Sequence, residues 1–190
     1  MPHISIISSS VRIGRNSHRV ALYFRNYIEE NNLATVEILD LNEYQFPLFE
    51  ERLKYQKSPA ENVLAFAQKV KSSDGIIIVT PEYNGGYPAS IKNVIDLLYD
   101  EWQRKPVAIS TVSDGPFGGS QVITSIQFTL WKIRALTVTA MFPVPKANES
   151  FDETGKPINK PFTDKRASIF IQELLWFIEA KSRMTNTDKQ

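Results

Sequence analysis

The chain contains no cysteine, which excludes disulfides, thiolate catalysis and thiolate metal centres. Histidine is nearly absent: His3 and His18 are the only two, too few for a multi-histidine metal site. No apolar run approaches the roughly 20 residues needed to span a bilayer. The amino terminus lacks the basic, apolar and small-residue succession of a secretory leader, so a cytoplasmic location is expected. An excess of either charge is missing as well. With 22 Lys and Arg against 21 Asp and Glu, the net charge of +1 gives no pull toward nucleic acid or a membrane surface. No internal repeat or low-complexity segment is evident.

What remains is ordinary for a globular domain, with 42% hydrophobic and 23% charged residues. A length of 190 residues suits one well-formed domain, expected over 1–183 with a polar tail at 184–190.

Residues 76–98 organise the rest. Ile76, Ile77, Ile78 and Val79 form a β-branched run, the pattern of a strand buried on both faces of a parallel sheet. Thr80-Pro81 ends it, because a prolyl nitrogen cannot donate to a ladder. Glu82-Tyr83-Asn84-Gly85-Gly86-Tyr87 then forms a loop, Pro88 suits the first turn of a helix, and Ile91, Val94, Ile95 and Leu98 make one buried stripe. In open α/β sheets ligands bind outside the carboxyl ends of strands, which places a ligand at this loop. Two glycines, two tyrosine rings and Asn84 suit a planar ring with a polar edge. The same residues also describe a tight turn whose tyrosines cover the core.

Two further strand–loop–helix units have the same character. Residues 3–8 read as the first strand and lead into Ser9-Ser10-Val11-Arg12-Ile13-Gly14-Arg15-Asn16-Ser17, before a helix from His18 to about Asn31. Unpaired N–H groups at that helix start, the hydroxyls of Ser10 and Ser17, and the guanidinium groups of Arg12 and Arg15 suit a phosphate. The alternative is an ordinary helix capped by Asn16 or Ser17, with both arginines solvated. Residues 106–112 read as the fourth strand, followed by Ser113-Asp114-Gly115-Pro116-Phe117-Gly118-Gly119 and a helix from Ser120 to Ile133. Those glycines suit either close approach to a flat ligand or close helix–strand packing.

Between these units, residues 35–41 read as an edge strand. In the irregular segment 42–52, Phe46, Leu48 and Phe49 either wall a pocket or tuck into the core. Ser58-Pro59-Ala60-Glu61 has the form of a capping box for a helix bearing Val63, Phe66, Ala67 and Val70. A short strand is expected at 136–139, an exposed proline-containing excursion at 141–162, and a closing helix at 168–180 with Ile171, Leu174, Leu175 and Ile178 inward. Trp131 and Trp176 read as core or subunit-contact residues.

The segment T-P-E-Y-N-G-G-Y-P-A-S-I-K-N-V-I-D resembles the signature of the NADPH-dependent FMN reductase family, which includes quinone, azo-dye and chromate reductases. The first loop resembles the family's S-x-R-x-G pattern through Ser10, Arg12 and Gly14, with Ser9 where glycine is usual. The third resembles S-x-G-x-x-G-G through Ser113, Gly115, Gly118 and Gly119. The resemblance implies a flavodoxin-like three-layer α/β sandwich around a five-stranded parallel sheet of order 2-1-3-4-5. It further implies FMN bound by Ser10, Arg12, Arg15, Asn16 and Ser17, by Pro81, Glu82, Tyr83, Asn84 and Gly85, and by Ser113, Asp114, Gly115, Gly118 and Gly119. NADPH or NADH then serves as donor to the flavin, which reduces a small-molecule acceptor. No protein nucleophile or base is required, and Glu82 is expected to hold its loop. The family's dimers or tetramers imply a homo-oligomer with residues 91–98 at a shared face. A non-enzymatic flavin carrier or redox sensor is the second reading, and a hydrolase on the same fold a weaker third.

Overall fold

The computed structural model describes residues 1–187. Five strands, β1 (His3–Ser8), β2 (Thr35–Asp40), β3 (Gly75–Pro81), β4 (Pro106–Val112) and β5 (Leu136–Val144), form one sheet. Their order is β2-β1-β3-β4-β5, and every neighbouring pair is parallel. The helices are α1 (Ser17–Glu30), the single turn α2 (Leu41–Tyr44), α3 (Glu61–Ser72), α4 (Ala89–Leu97), α5 (Ser120–Lys132), the single turn α6 (Ala147–Ser150) and α7 (Lys160–Thr187). This is the expected three-layer sandwich with the expected strand order. No helix among the described residues is long and apolar enough to cross a membrane.

Alternation across the sheet explains the apolar runs. Ile4, Ile6, Ile77 and Val79 pack with α1 and α7 on one face. Ile7, Ile76 and Ile78 pack with α3, α4 and α5 on the other. Each such residue is fully buried, contributing about 1.5–3 kcal/mol by its removal from water. The stripe Ile91, Val94, Ile95 and Leu98 is buried as expected, with Pro88 as the N-cap of α4 just before its first turn. β2 lies at an edge beside β1, while β3 lies on β1's other side. The chain therefore reverses its lateral direction between β1 and β3, and their outgoing loops diverge to leave a crevice.

Several local expectations are corrected. α3 begins at Glu61 with the extended Ala60 as N-cap and no side-chain cap, so Ser58-Pro59-Ala60-Glu61 is not a capping box. β5 runs to Val144 instead of stopping at 139, because Val138, Phe142 and Val144 continue the inward alternation. Pro143 is tolerated there because β5 is an edge strand. The segment that follows is consequently tied down, with Ala147 and Phe151 buried and Phe151 bridged to Pro157. α7 starts at Lys160 because the Asn159 side chain accepts from the Phe162 N–H at 3.2 Å and Pro161 suits a first turn. It continues through Thr187, beyond the expected end at 180. Residues 184–187 of the expected polar tail are thus helical, and 188–190 lie outside the described residues. Trp131 and Trp176 are not core: they are 66% and 63% exposed, whereas Trp102 is fully buried.

Gly155 locks the 151–159 segment onto α1. It has φ +83°, and a Cβ there would lie 2.6 Å from the Tyr23 nitrogen and 2.7 Å from the Arg19 carbonyl oxygen. Backbone atoms within a helix cannot step aside. Gly155→Ala is therefore expected to destabilise the protein by about 2 kcal/mol or more, lowering Tm by roughly 4–8 °C. Gly14→Ala, also at positive φ but with nothing within 4 Å of the added Cβ, is expected to cost only about 1 kcal/mol. Thermal melts of the two variants beside the wild type measure the difference.

Candidate functional site

The loops leaving β1, β3 and β4 meet at the carboxyl edge of the sheet around a cleft of roughly 270 Å³. Arg12, Gly14, Arg15, Asn16 and Ser17 line it from the first loop, Pro81, Glu82 and Tyr83 from the second, and Val112, Ser113 and Asp114 from the third. Hydrogen bonds join the walls. Ser10 Oγ and Tyr83 Oη lie 2.7 Å apart, Asn16 Nδ2 donates to Asp114 Oδ1 at 3.3 Å, and the Glu82 N–H donates to the Val112 carbonyl at 3.0 Å.

The first loop gathers groups of a kind that suits an anion. α1 starts with Asn16 in helical geometry, without a side-chain cap and without an acidic residue in its first turn. The first N–H groups of a helix have no intrahelical acceptor, and here no side chain of Asn16 supplies one. Ser17 Oγ beside them is buried and has no hydrogen-bond partner among the described residues. A buried hydroxyl left unpaired costs about 1–3 kcal/mol, so a hydrogen-bonding partner at this point would be favourable. Ser9, where the family has glycine, keeps the strand's direction: its N–H and its Oγ both reach the Val79 carbonyl, at 3.1 and 2.8 Å.

The two arginines of this loop differ. Arg12 is exposed and carries its charge at the rim of the cleft. Arg15 is turned toward the end of β2, where its guanidinium forms a two-pronged ion pair with the buried Asp40. The same guanidinium donates to the Ser10 carbonyl at 2.7 Å. Arg15 thus ties the loop's beginning to its end, and Asp40 neutralises its charge. His18 stands close by, with Nδ1 3.0 Å from Ser8 Oγ and 3.6 Å from Asp40. Burial holds its pKa below the usual 6.5 and outweighs the pull of Asp40, so the ring is neutral near pH 7.

The second loop is a tight reversal. Tyr83 and Gly86 exchange backbone hydrogen bonds at 2.8 and 3.0 Å, and Asn84 and Gly85 between them have φ +53° and +79°. Two successive positive φ values define a type I′ turn, for which Asn-Gly is the favoured pair. The N–H groups of Asn84 and Gly85 take no part in that bridge. Tyr87, whose ring was a candidate for the ligand, instead packs on the core and bonds to Thr129 Oγ1 at 2.8 Å.

The third loop answers the glycine question in favour of packing at two positions. A Cβ on Gly118 would lie 3.0 Å from Pro143, and one on Gly119 3.1 Å from Thr111; both have positive φ. Neither lines the cleft. Gly115 is exposed and meets nothing within 4 Å, while Ser113 Oγ donates to its carbonyl at 3.0 Å. Ser10, Asn84, Gly85 and Gly115 are not among the lining residues: Ser10 is buried against Tyr83, and Asn84 is exposed in its turn.

Sequence reasoning missed Asp40, His18 and Val112. Asp40 had a readable signal, since an acid ending the strand beside β1 must sit near a loop with two arginines. Phe46 packs its ring with Tyr44 and Phe66, at 5.2 Å from each. Leu48 is 82% exposed and, with Val11, Leu41 and Phe46, lines a second, more apolar cleft of about 370 Å³ beside α2 and α4.

Known proteins agree with this geometry. An NAD(P)H-dependent FMN reductase of Saccharomyces cerevisiae is 34% identical over 140 residues, covering 67% of this chain and 72% of that protein. A quinone reductase of Pseudomonas putida is 31% identical over 149 residues, 72% of this chain and 76% of its own. Among solved structures, a flavoenzyme NAD(P)H:(acceptor) oxidoreductase from Paracoccus denitrificans superposes with a TM-score of 0.79 at 19% identity, covering 94% of this chain and 98% of that one, which shows the shared fold. The model of one family, described as NADPH-dependent FMN reductase, matches residues 2–149. The three-loop cleft and this match over most of its length assign the chain to the NADPH-dependent FMN reductase family.

Proposed function

We propose that this protein is an NAD(P)H-dependent oxidoreductase that holds FMN in the three-loop cleft and works by a ping-pong cycle. Its acceptors are quinones, azo compounds, metal oxyanions or free flavin. The single observation that carries the cofactor reading is the buried, unpartnered Ser17 hydroxyl at the uncapped start of α1, inside a cleft whose rim bears Arg12. Those groups suit a terminal phosphate. When bound, FMN supplies the redox chemistry, accepting a hydride from the nicotinamide and passing the reducing equivalents to the acceptor that replaces it.

The chain's own work is binding and orientation. Ser17, the first-turn N–H groups of α1 and Arg12 hold the phosphate, with Ser10 and Asn16 fixing the loop through Tyr83 and Asp114. Pro81, Glu82 and the 83–86 turn offer one wall for a ring, and the N–H groups of Asn84 and Gly85 are donors for its polar edge. Val112, Ser113 and Asp114 form the opposite wall. Arg15, Gly118 and Gly119 serve as scaffold: the first clasps the loop, the others let α5 approach β4 and β5. Glu82 is held by its backbone bond to Val112, and no proton transfer is assigned to it.

Anaerobic absorbance of the FMN-loaded protein tests the whole reading. Addition of NADPH or NADH is expected to bleach the flavin bands within the mixing time and to rank the two donors. Flavin that stays oxidised places the protein among carriers, and failure to bind flavin removes the cleft assignment. Arg12→Ala is expected to weaken FMN binding about tenfold, the loss of one charge-assisted hydrogen bond of about 1.5 kcal/mol, with little change in Tm. Asp40→Ala is expected to act differently, lowering stability by about 3 kcal/mol or more because it leaves the Arg15 guanidinium without its buried partner. Flavin titration and thermal melts of both variants separate the two roles.

A further inference from the structure

An imidazole is the one side chain whose ordinary pKa puts a charge change between about pH 5 and 8. His18 places one beside the candidate cleft. It belongs to the first turn of α1, directly after Ser17, and its ring reaches the ends of β1 and β2. There Nδ1 lies 3.0 Å from Ser8 Oγ and 3.6 Å from the Asp40 carboxylate. The niche accommodates both forms of the ring. A hydroxyl can donate or accept, so Ser8 can donate to Nδ1 of a neutral ring and turn to accept from Nδ1 of a protonated one. Asp40 then stands close enough to attract the new charge, and the His18 side chain, 28% exposed, can exchange its proton with water.

Charges from every neighbouring element bear on this ring. Burial is the largest influence and opposes protonation, as do Arg15 in the first loop and Arg25 on α1. Asp40 at the end of β2 and Glu43 in α2 favour it. Asp40 does not prevail, because both of its carboxylate oxygens are already engaged by Arg15. An anion at the start of α1 would supply the negative charge that Arg15 withholds, next to the residue that carries the ring.

We infer that His18 takes up a proton when a phosphate occupies the start of α1, coupling the cleft's affinity for phosphorylated ligands to pH. The inference rests on the cofactor reading above, with FMN as the bearer of the phosphate. Linkage makes the effect reciprocal. A ligand that raises the pKa of His18 by about one pH unit binds about tenfold more tightly to the protonated protein than to the neutral one. His18 is thus a positioning residue: it acts on the ligand through the charge balance of the first loop.

His3 and His18 are the only histidines, so proton NMR of the full chain follows two sets of imidazole ring C–H resonances, which His3→Gln assigns. His3, at the other end of β1 and about 16 Å away at 3.3 Å per residue, is the internal reference. Without ligand, His18 is expected to titrate below 6.5. Saturating FMN is expected to raise its pKa by about one unit and to leave His3 unchanged. Saturating riboflavin, which lacks the phosphate, is expected to move neither. His18→Asn keeps a polar group near the Nδ1 position but takes up no proton. In flavin fluorescence titrations, the ratio of the variant's FMN Kd to that of the wild type is expected to rise several-fold toward the tenfold limit as pH falls from about 8 to about 5.5. The phosphate's own second ionisation, near about pH 6, acts on both proteins and cancels in that ratio. FMN that binds while His18 keeps its pKa, a riboflavin shift as large as the FMN shift, or parallel pH profiles for the two proteins would each overturn the inference alone. Absence of any flavin binding would overturn the cofactor reading, and the inference with it.

Discussion

The candidate site depends on one buried ion pair. Asp40 is only 4% exposed, and a carboxylate so placed needs compensation. It accepts from both prongs of Arg15 and from the Asn42 N–H at 3.0 Å. The ion pair therefore does two local jobs, starting α2 and closing the 9–16 loop on itself through the Ser10 carbonyl. The direction of α1's first turn follows from that closure, and with it the place where the helix presents its free N–H groups. Charge is spent on geometry at Arg15 and left available for an anion at Arg12.

The candidate cleft and the densely packed helix ends occupy opposite edges of the sheet. At the carboxyl edge the loops are polar, turn sharply and carry the positive φ values of Gly14, Asn84 and Gly85. At the amino edge, Ile178 fills the space over Gly75, and the buried Lys105 ammonium donates to the carbonyls of Lys71 and Ser73 at the end of α3. Parallel strands impose this division, since every crossover returns the chain to the same edge before the next strand begins.

The layers and the cleft-forming loops were legible in the sequence because each rests on a strong local signal, whereas the strand order came from the family resemblance. Ile76–Val79 could only be a doubly covered strand, and Asn84-Gly85 is the residue pair a type I′ turn demands. Other features depend on partners distant in sequence. Arg12 and Arg15 look alike along the chain, and only the placement of Asp40 beside β1 distinguishes the paired charge from the exposed one at the cleft. Gly118 and Gly119 likewise read equally well as cofactor contacts or as packing sites until Thr111 and Pro143 are placed against them. The end of β5 was obscured by Pro143, which is disfavoured in a central strand but compatible with an edge. Ser58-Pro59-Ala60-Glu61 had the residues of a capping box, yet the extended backbone of Ala60 delays the helix past it.

The unpaired hydroxyl of Ser17 has a consequence for the lifetime of the protein. A ligand atom that hydrogen-bonds this hydroxyl, buried at the turn on which the first loop closes, adds to the stability of the folded chain beyond what packing supplies. A ligand that binds only the folded state adds stability as its concentration rises, about 2.7 kcal/mol at a hundred times Kd. The folded fraction then rises with the concentration of free ligand, and exposure of the unfolded chain to proteolysis falls with it.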